Sequence, residues 1–133
     1  MLVFALPYNA RLRKEVSRAK TAANIVYDMS DASSIAVVEG KLDVEAAKAF
    51  SIRSITFERL RADGSELNNY SKVFIFMDID DSGLRKAEQA LRIIDEKEIS
   101  AKIDSTSGPR LLKIVGAKCV EAMVKPLQSL LRE

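Results

Sequence analysis

The sequence predicts an α/β protein: a mostly parallel four-stranded sheet with helices on both faces. Three observations carry this. Apolar runs at residues 35–38 and 73–77, and further strand-like segments at 52–57 and, with alternation, at 99–104, are separated by segments with helical spacing. The two runs, 35–38 and 73–77, are unbroken, as suits strands buried on both faces. Both of those end in the same way, with a carboxylate, then a glycine, then a helix. Alternation of strand and helix in one chain implies parallel strands joined by crossovers.

Taken in order, residues 2–6 are apolar but too short for a secretory signal core, with no basic residue before them, and read as a terminal strand or hydrophobic clasp. Residues 9–29 read as a helix whose apolar stripe is Leu12, Val16, Ala19, Ala23 and Val26. Arg11, Arg13, Lys14, Arg18 and Lys20 crowd its first half, a pattern more typical of a solvated face than of a phosphate-binding one. Residues 30–34 break the helix. The run at 35–38 ends at Glu39-Gly40-Lys41-Leu42-Asp43; Gly40 allows a tight turn and close approach of a ligand, and Asp43 caps a helix over 44–50. Residues 52–57 form the next strand, and 58–71, with Asp63-Gly64-Ser65, a loop or short helix. After the strand at 73–77, a helix over 84–97 presents Leu84, Ala87, Leu91 and Ile94. The strand at 99–104 leads to Pro109 in the first turn of a helix that stops at Gly116. Residues 118–124 are a last amphipathic segment, which Pro126 kinks or restarts. Leu127, Leu130 and Leu131 then pack on the core or form an interface with a protein partner or a second copy.

The 133 residues suffice for one domain spanning 1–133. With 21 Lys/Arg against 19 Asp/Glu, no global field demands a polyanion. The distribution is uneven: residues 35–100 hold ten basic and thirteen acidic side chains, between mildly basic flanks. The chain has no histidine, which removes Ser-His and Cys-His catalysis and argues against zinc. Cys119 is the one cysteine, so no disulfide framework forms; the expected setting is the reducing cytoplasm, and the thiol is expected in the core. No apolar stretch approaches the length of a membrane span.

The organising stretch is Lys72 to Arg85. Three of the four residues Asp78-Ile79-Asp80-Asp81 are carboxylates at the end of a buried run. The carboxyl ends of strands are where ligands bind in open α/β sheets. In extended chain Asp78 and Asp80 share a side, and two like charges so placed repel unless a cation bridges them. The plainer account is that Asp81 or Ser82 caps the following helix while the other acids are solvated.

The two acidic turns together, Val37-Val38-Glu39-Gly40-Lys41-Leu42-Asp43 and Phe76-Met77-Asp78-Ile79-Asp80-Asp81-Ser82-Gly83, resemble the topoisomerase–primase (TOPRIM) domain, whose pattern is E-G-x-x-D ending one strand and D-x-D-x-x-G ending another. The resemblance covers about residues 35–104, flanked by the helix at 9–29 and C-terminal helices over 109–131. It implies a compact Rossmann-like TOPRIM fold and Mg²⁺-dependent phosphodiester chemistry, nuclease-like or nucleotidyl-transferring, on DNA or RNA. Asp78 and Asp80 would hold Mg²⁺, or Mn²⁺, as one or two ions; Glu39 would share an ion or act as general acid/base. All three are then expected to converge at the carboxyl ends of adjacent strands. Lys41, Arg85 and Arg110 are the candidate phosphate contacts, though each is equally an ordinary surface cation. Type II topoisomerases carry a further Asp where this chain has Ser82, so the likeness is to the primase and ribosomal-RNA-maturing ribonuclease branch, at the size of small stand-alone members.

Two other classes fit parts of the pattern. A non-catalytic module could bind metal and nucleic acid for a processing complex. Asp78-Ile79-Asp80-Asp81-Ser82 also resembles the D-x-D-x-T/V opening of haloacid-dehalogenase-like phosphatases, but Ser82 departs from that motif and no acidic pair closes the strand at 99–104.

Overall fold

The computed structural model describes the backbone of residues 2–132 and the side chains of residues 10–132. Helix α1 (Leu2–Ser30) leads into β1 (Ser34–Val38) and α2 (Lys41–Lys48). β2 (Ser54–Thr56), α3 (Phe57–Ala62), a 3₁₀ turn (Ser65–Asn69) and β3 (Lys72–Ile75) follow. The chain closes with α4 (Asp81–Glu96), β4 (Lys102–Asp104), α5 (Ser107–Val115), a 3₁₀ turn (Glu121–Met123) and α6 (Val124–Leu131). Among the described residues no helix is long and apolar enough to cross a membrane.

The sheet has four strands, all parallel, in the order β2-β1-β3-β4. Period-two alternation divides the two central strands between two cores. Ala36, Val38, Phe74 and Phe76 face a layer built by Ala22, Ile25 and Met29 of α1, Leu111 and Leu112 of α5, and Met123 and Leu127 at the C-terminal end. Ile35, Val37, Val73 and Ile75 face the opposite layer, with Leu60 of α3 and Ala90 and Ile94 of α4. This double burial explains the unbroken apolar runs and puts helices on both faces.

Several elements depart from the sequence reading. Residues 2–6 belong to α1 rather than to a strand or clasp, since a short apolar run does not by itself distinguish strand from helix. The buried face of α1 is Ala22, Ile25 and Met29, one residue round from the expected stripe. Leu12 and Val16 are 46% and 53% exposed, and they line a groove of about 830 Å³ with Val115, Pro126, Leu130 and Leu131. β2 stops at Thr56 because the Thr56 hydroxyl accepts the Arg59 N–H at 3.2 Å, capping α3 at Phe57. β4 is confined to Lys102–Asp104, and Ile99 packs beneath it in the α4 layer. The segment 118–124 is a turn followed by the 3₁₀ turn, half-burying Cys119, and Pro126 sits in the first turn of α6.

The end of β3 is tightly held. A Cβ on Gly83 would lie 1.9 Å from the Asp78 carbonyl oxygen, and one on Gly108 would lie 2.6 Å from the Phe76 ring. The first turns of α4 and α5 therefore rest directly on the strand end. Gly40 differs: its backbone is in the ordinary extended region and nothing lies within 4 Å of a Cβ there, so the tight turn expected of it is not required.

Gly83→Ala should accordingly lose about 3 kcal/mol or more, because backbone must shift to admit the methyl, whereas Gly40→Ala should change stability by about 1 kcal/mol at most. Urea midpoints at unchanged m-value measure both; a Gly83→Ala loss below about 1 kcal/mol would contradict the close packing.

Candidate metal and nucleic-acid site

The chain runs from β1 outward to β2, then returns to the other side of β1 as β3. The seam between β1 and β3 is thus the topological switch point, where adjacent crossovers leave in opposite directions and a crevice opens at the carboxyl ends. Glu39 follows β1 and Asp78 follows β3, so the topology delivers both to this crevice. They meet: Glu39 Oε2 accepts the Asp78 backbone N–H at 2.9 Å. The other Glu39 oxygen accepts from Lys86 Nζ of α4 at 3.3 Å.

Asp78 is held from a second side. Its Oδ1 accepts the Val120 N–H at 3.0 Å, and the adjacent Ile79 N–H donates to the Lys118 carbonyl at 2.8 Å. The segment before the second 3₁₀ turn is therefore clipped onto the strand end. Asp43 adds to the clip. It is buried, its Oδ2 accepts the Gly40 N–H at 3.1 Å, and it also takes the Glu121 backbone N–H. Asp43 is thus not the cap of α2, which begins at Lys41 with Gly40 as N-cap; it is the third helical residue reaching back to the cap amide.

Asp80 does not join the pair. It is the N-cap of α4, and its Oδ1 accepts the Gly83 N–H at 2.7 Å. The cap is therefore Asp80 rather than Asp81 or Ser82. Among the described residues, no three carboxylate or thiol side chains converge to hold an ion. Of the expected triad, Glu39 and Asp78 meet, and Asp80 stands apart at the helix start. Asp104 repeats the capping theme: its Oδ1 accepts the Thr106 and Ser107 N–H groups at 3.0 and 2.9 Å, and its Oδ2 the Ser107 hydroxyl at 2.6 Å.

Charge crowding shapes the site. Burial pushes the Asp78 carboxyl up to about 7, the nearby Glu39 and Asp43 carboxylates add to the rise, and the Val120 N–H opposes it. Asp43 is raised for a similar reason: burial first, opposed by the Gly40 N–H, with Glu39 and Glu121 adding like charge. At Asp104 burial also pushes upward, but the Ser107 and Thr106 hydrogen bonds outweigh it and the carboxyl stays below its ordinary value. The donors at the β1–β3 seam are all carboxylate oxygens in mutual repulsion. That chemistry fits a hard divalent cation, which takes one or two carboxylates and completes its shell with water or phosphate.

Lys41, Arg85 and Arg110 are exposed near the starts of α2, α4 and α5, the helices that follow β1, β3 and β4. All three lie toward the carboxyl edge of the sheet. None is hydrogen-bonded or ion-paired to Glu39, Asp78 or Asp80, whereas Lys86 does reach Glu39. Lys86 was missed because the expected stripe ran through Leu84 and Leu91, which are exposed; of that stripe Ile94 is buried and Ala87 partly so, and Gly83 and Ala90 complete the buried face. Its spacing of three from Gly83 and four from Ala90 was the available signal.

No family model matches the chain, and no curated protein does. A solved structure of a protein from Aquifex aeolicus is similar: 22% sequence identity, TM-score 0.61, over 75% of this chain and 95% of that one. At that identity the likeness is one of fold.

The raised Asp78 carboxyl gives stability a pH slope. Its ordinary value is 3.8 and its folded value about 7. Between these the folded protein keeps a proton that the unfolded chain has released. The contribution is thus complete below about pH 4 and lost as pH rises through about 7. Without divalent metal, Asp78→Asn should remove this slope and exceed wild type at pH 8 by about 1–2 kcal/mol, after discounting for partial exposure. Urea midpoints in chelator across pH 4–8 test this; parallel curves for the two proteins would refute it.

Proposed function

We propose that this chain is a small TOPRIM-type protein of the cytoplasm that performs Mg²⁺-dependent phosphodiester chemistry on nucleic acid. The observation that carries the reading is the meeting of Glu39 and Asp78 at the switch point between β1 and β3. Glu39 and Asp78 would hold the cation, Mg²⁺ or Mn²⁺, with Asp80 at the rim on the start of α4. A cation held there would neutralise charge on a phosphoryl group in transfer and would lower the pKa of a bound water. The chain's own groups do the rest. Asp78 keeps or releases a proton near neutral pH according to the charge beside it. Lys41, Arg85 and Arg110 line the approach as cations for the phosphate backbone.

A second reading, a non-catalytic nucleic-acid-binding module, is favoured by one observation: Glu39, Asp78 and Asp80 already have backbone or lysine partners, and no set of three converges among the described residues. A cleavage screen over labelled RNA and DNA with Mg²⁺ and Mn²⁺ separates the two. Wild type is expected to cut, and Glu39→Gln, Asp78→Asn and Asp80→Asn each to lose at least about 100-fold while still binding. Binding should fall steeply with salt, and Lys41→Ala and Arg85→Ala should shallow that dependence. Salt-dependent binding without cutting would establish the module instead. Hydrolysis of small phosphomonoesters, lost in Asp78→Asn and without nucleic-acid binding, would establish the haloacid-dehalogenase-like class.

Millimolar Mg²⁺ should also raise the melting temperature of wild type by a few degrees, through binding to the native state, and should leave Asp78→Asn unmoved. A wild-type melting temperature indifferent to both metals would remove the cation from the reading.

A further inference from the structure

Lys86 holds a position that a divalent ion would have to contest. Helix α4 presents Gly83, Lys86 and Ala90 on one face, and that face is turned toward the sheet. The lysine stem follows the face, and Nζ ends 3.3 Å from Glu39 Oε1. The Glu39 side chain is only 13% exposed, and its second oxygen is on the Asp78 N–H. Asp78 and Asp43 press further negative charge on the same spot. An ammonium placed there relieves repulsion that the fold itself creates.

Building on the assignment of Glu39 and Asp78 as cation ligands, we propose that Lys86 is the tethered counter-ion of this site. It neutralises Glu39 while no divalent ion is bound and competes with such an ion for the carboxylate. Two cations a few ångströms apart repel, so an ion seated on Glu39 drives the ammonium off. Lysine suits the task better than arginine, being a point charge on a flexible four-carbon stem rather than a planar fork. The Lys86 side chain is 40% exposed, which leaves it room to swing outward. Displaced but still tethered to α4, the ammonium stays beside the crevice, where a phosphate group is a suitable new partner. The pair therefore sets a threshold for loading: the ion must out-compete an internal cation, and an anion that takes the ammonium lowers that threshold.

The experiment is calorimetric titration of Mn²⁺ into wild type, Lys86→Met and Lys86→Arg, with melting temperatures of all three in chelator. Lys86→Met keeps the stem's apolar length and removes the charge. It should bind Mn²⁺ about 10-fold more tightly than wild type, a change of about one unit in log Kd of the kind a close charge produces, while Lys86→Arg should stay near wild type. Binding by Lys86→Met when wild type shows none would support the inference as well. Equal affinity in wild type and Lys86→Met would overturn it and leave the cation site standing, and weaker binding in Lys86→Met would make the lysine a positioning residue and overturn it too. Failure of all three proteins to bind would overturn the cation site, and the inference with it.

Discussion

The side chains of β1 and β3 are buried on both faces of the sheet, and most of the molecule's arrangement descends from that constraint. A strand with no solvated face has no lateral room for an ionisable group. The polar chemistry of Val37–Glu39 and Met77–Asp80 can begin only where the strands run out. Because β2 and β4 lie on opposite sides of the central pair, the chain separates above the β1–β3 seam and leaves a crevice. Glu39 and Asp78 are the first charged residues beyond the carboxyl ends of β1 and β3, and they are neighbours because the strands are.

The carboxylates at this edge are also fasteners. Asp78 holds the Val120 amide, and Asp43 holds the Gly40 and Glu121 amides. Together they pin the segment leading to α6 against the starts of α2 and α4. The second 3₁₀ turn and α6, through Met123 and Leu127, in turn cover Phe74 and Phe76. A change of charge at Asp78 is therefore felt in the packing of α6, and the site and the C-terminal layer form one mechanical unit. Buried carboxylates with amide partners cost less than isolated ones, since hydrogen bonds to the charged form offset desolvation. The crowding that remains falls on Asp78, beside Glu39 and Asp43.

What the sequence makes legible here follows from how local each signal is. Double burial writes itself directly into the chain, so the central strands and the parallel class were readable from two apolar runs. The two acidic turns were readable because each is a short contiguous pattern. The phase of a helix is not contiguous in this sense. Leu12, Val16, Leu84 and Leu91 keep helical spacing yet face outward, since the buried stripe is fixed by the neighbour it meets. In α4 that stripe keeps Ile94 but takes in Gly83 and Ala90 in place of Leu84 and Leu91, and this is what concealed Lys86. The clip from Asp78 to Val120 joins residues 42 apart, and the tie from Asp43 to Glu121 spans still more of the chain; neither has a local signature. Gly40 was over-read: a glycine after a strand suggests a strained turn, but an extended backbone and open space ask nothing of it.

The helix starts along this edge bear on how an anion would be held. In many α/β proteins the first amides of a helix bind phosphate directly, with the helix dipole behind them. Three of the four starts, those of α2, α4 and α5, already carry a carboxylate of the chain itself, while the short α3 is capped by the Thr56 hydroxyl. Asp43 sits on the Gly40 amide, Asp80 on the Gly83 amide, and Asp104 on the Thr106 and Ser107 amides. The partial positive charge of α2, α4 and α5 is thereby answered from within, and a phosphate brought to any of them would meet a like charge first. A dinucleotide cradle of the glycine-loop kind is accordingly a poor fit to this edge. What remains for a polyanion is the set of side-chain cations Lys41, Arg85, Arg110 and Lys86, together with whatever cation the Glu39–Asp78 pair takes up. The same substitution of carboxylate for phosphate that stabilises the three helices also leaves the crevice acidic, and an acidic crevice receives phosphate only through a cation.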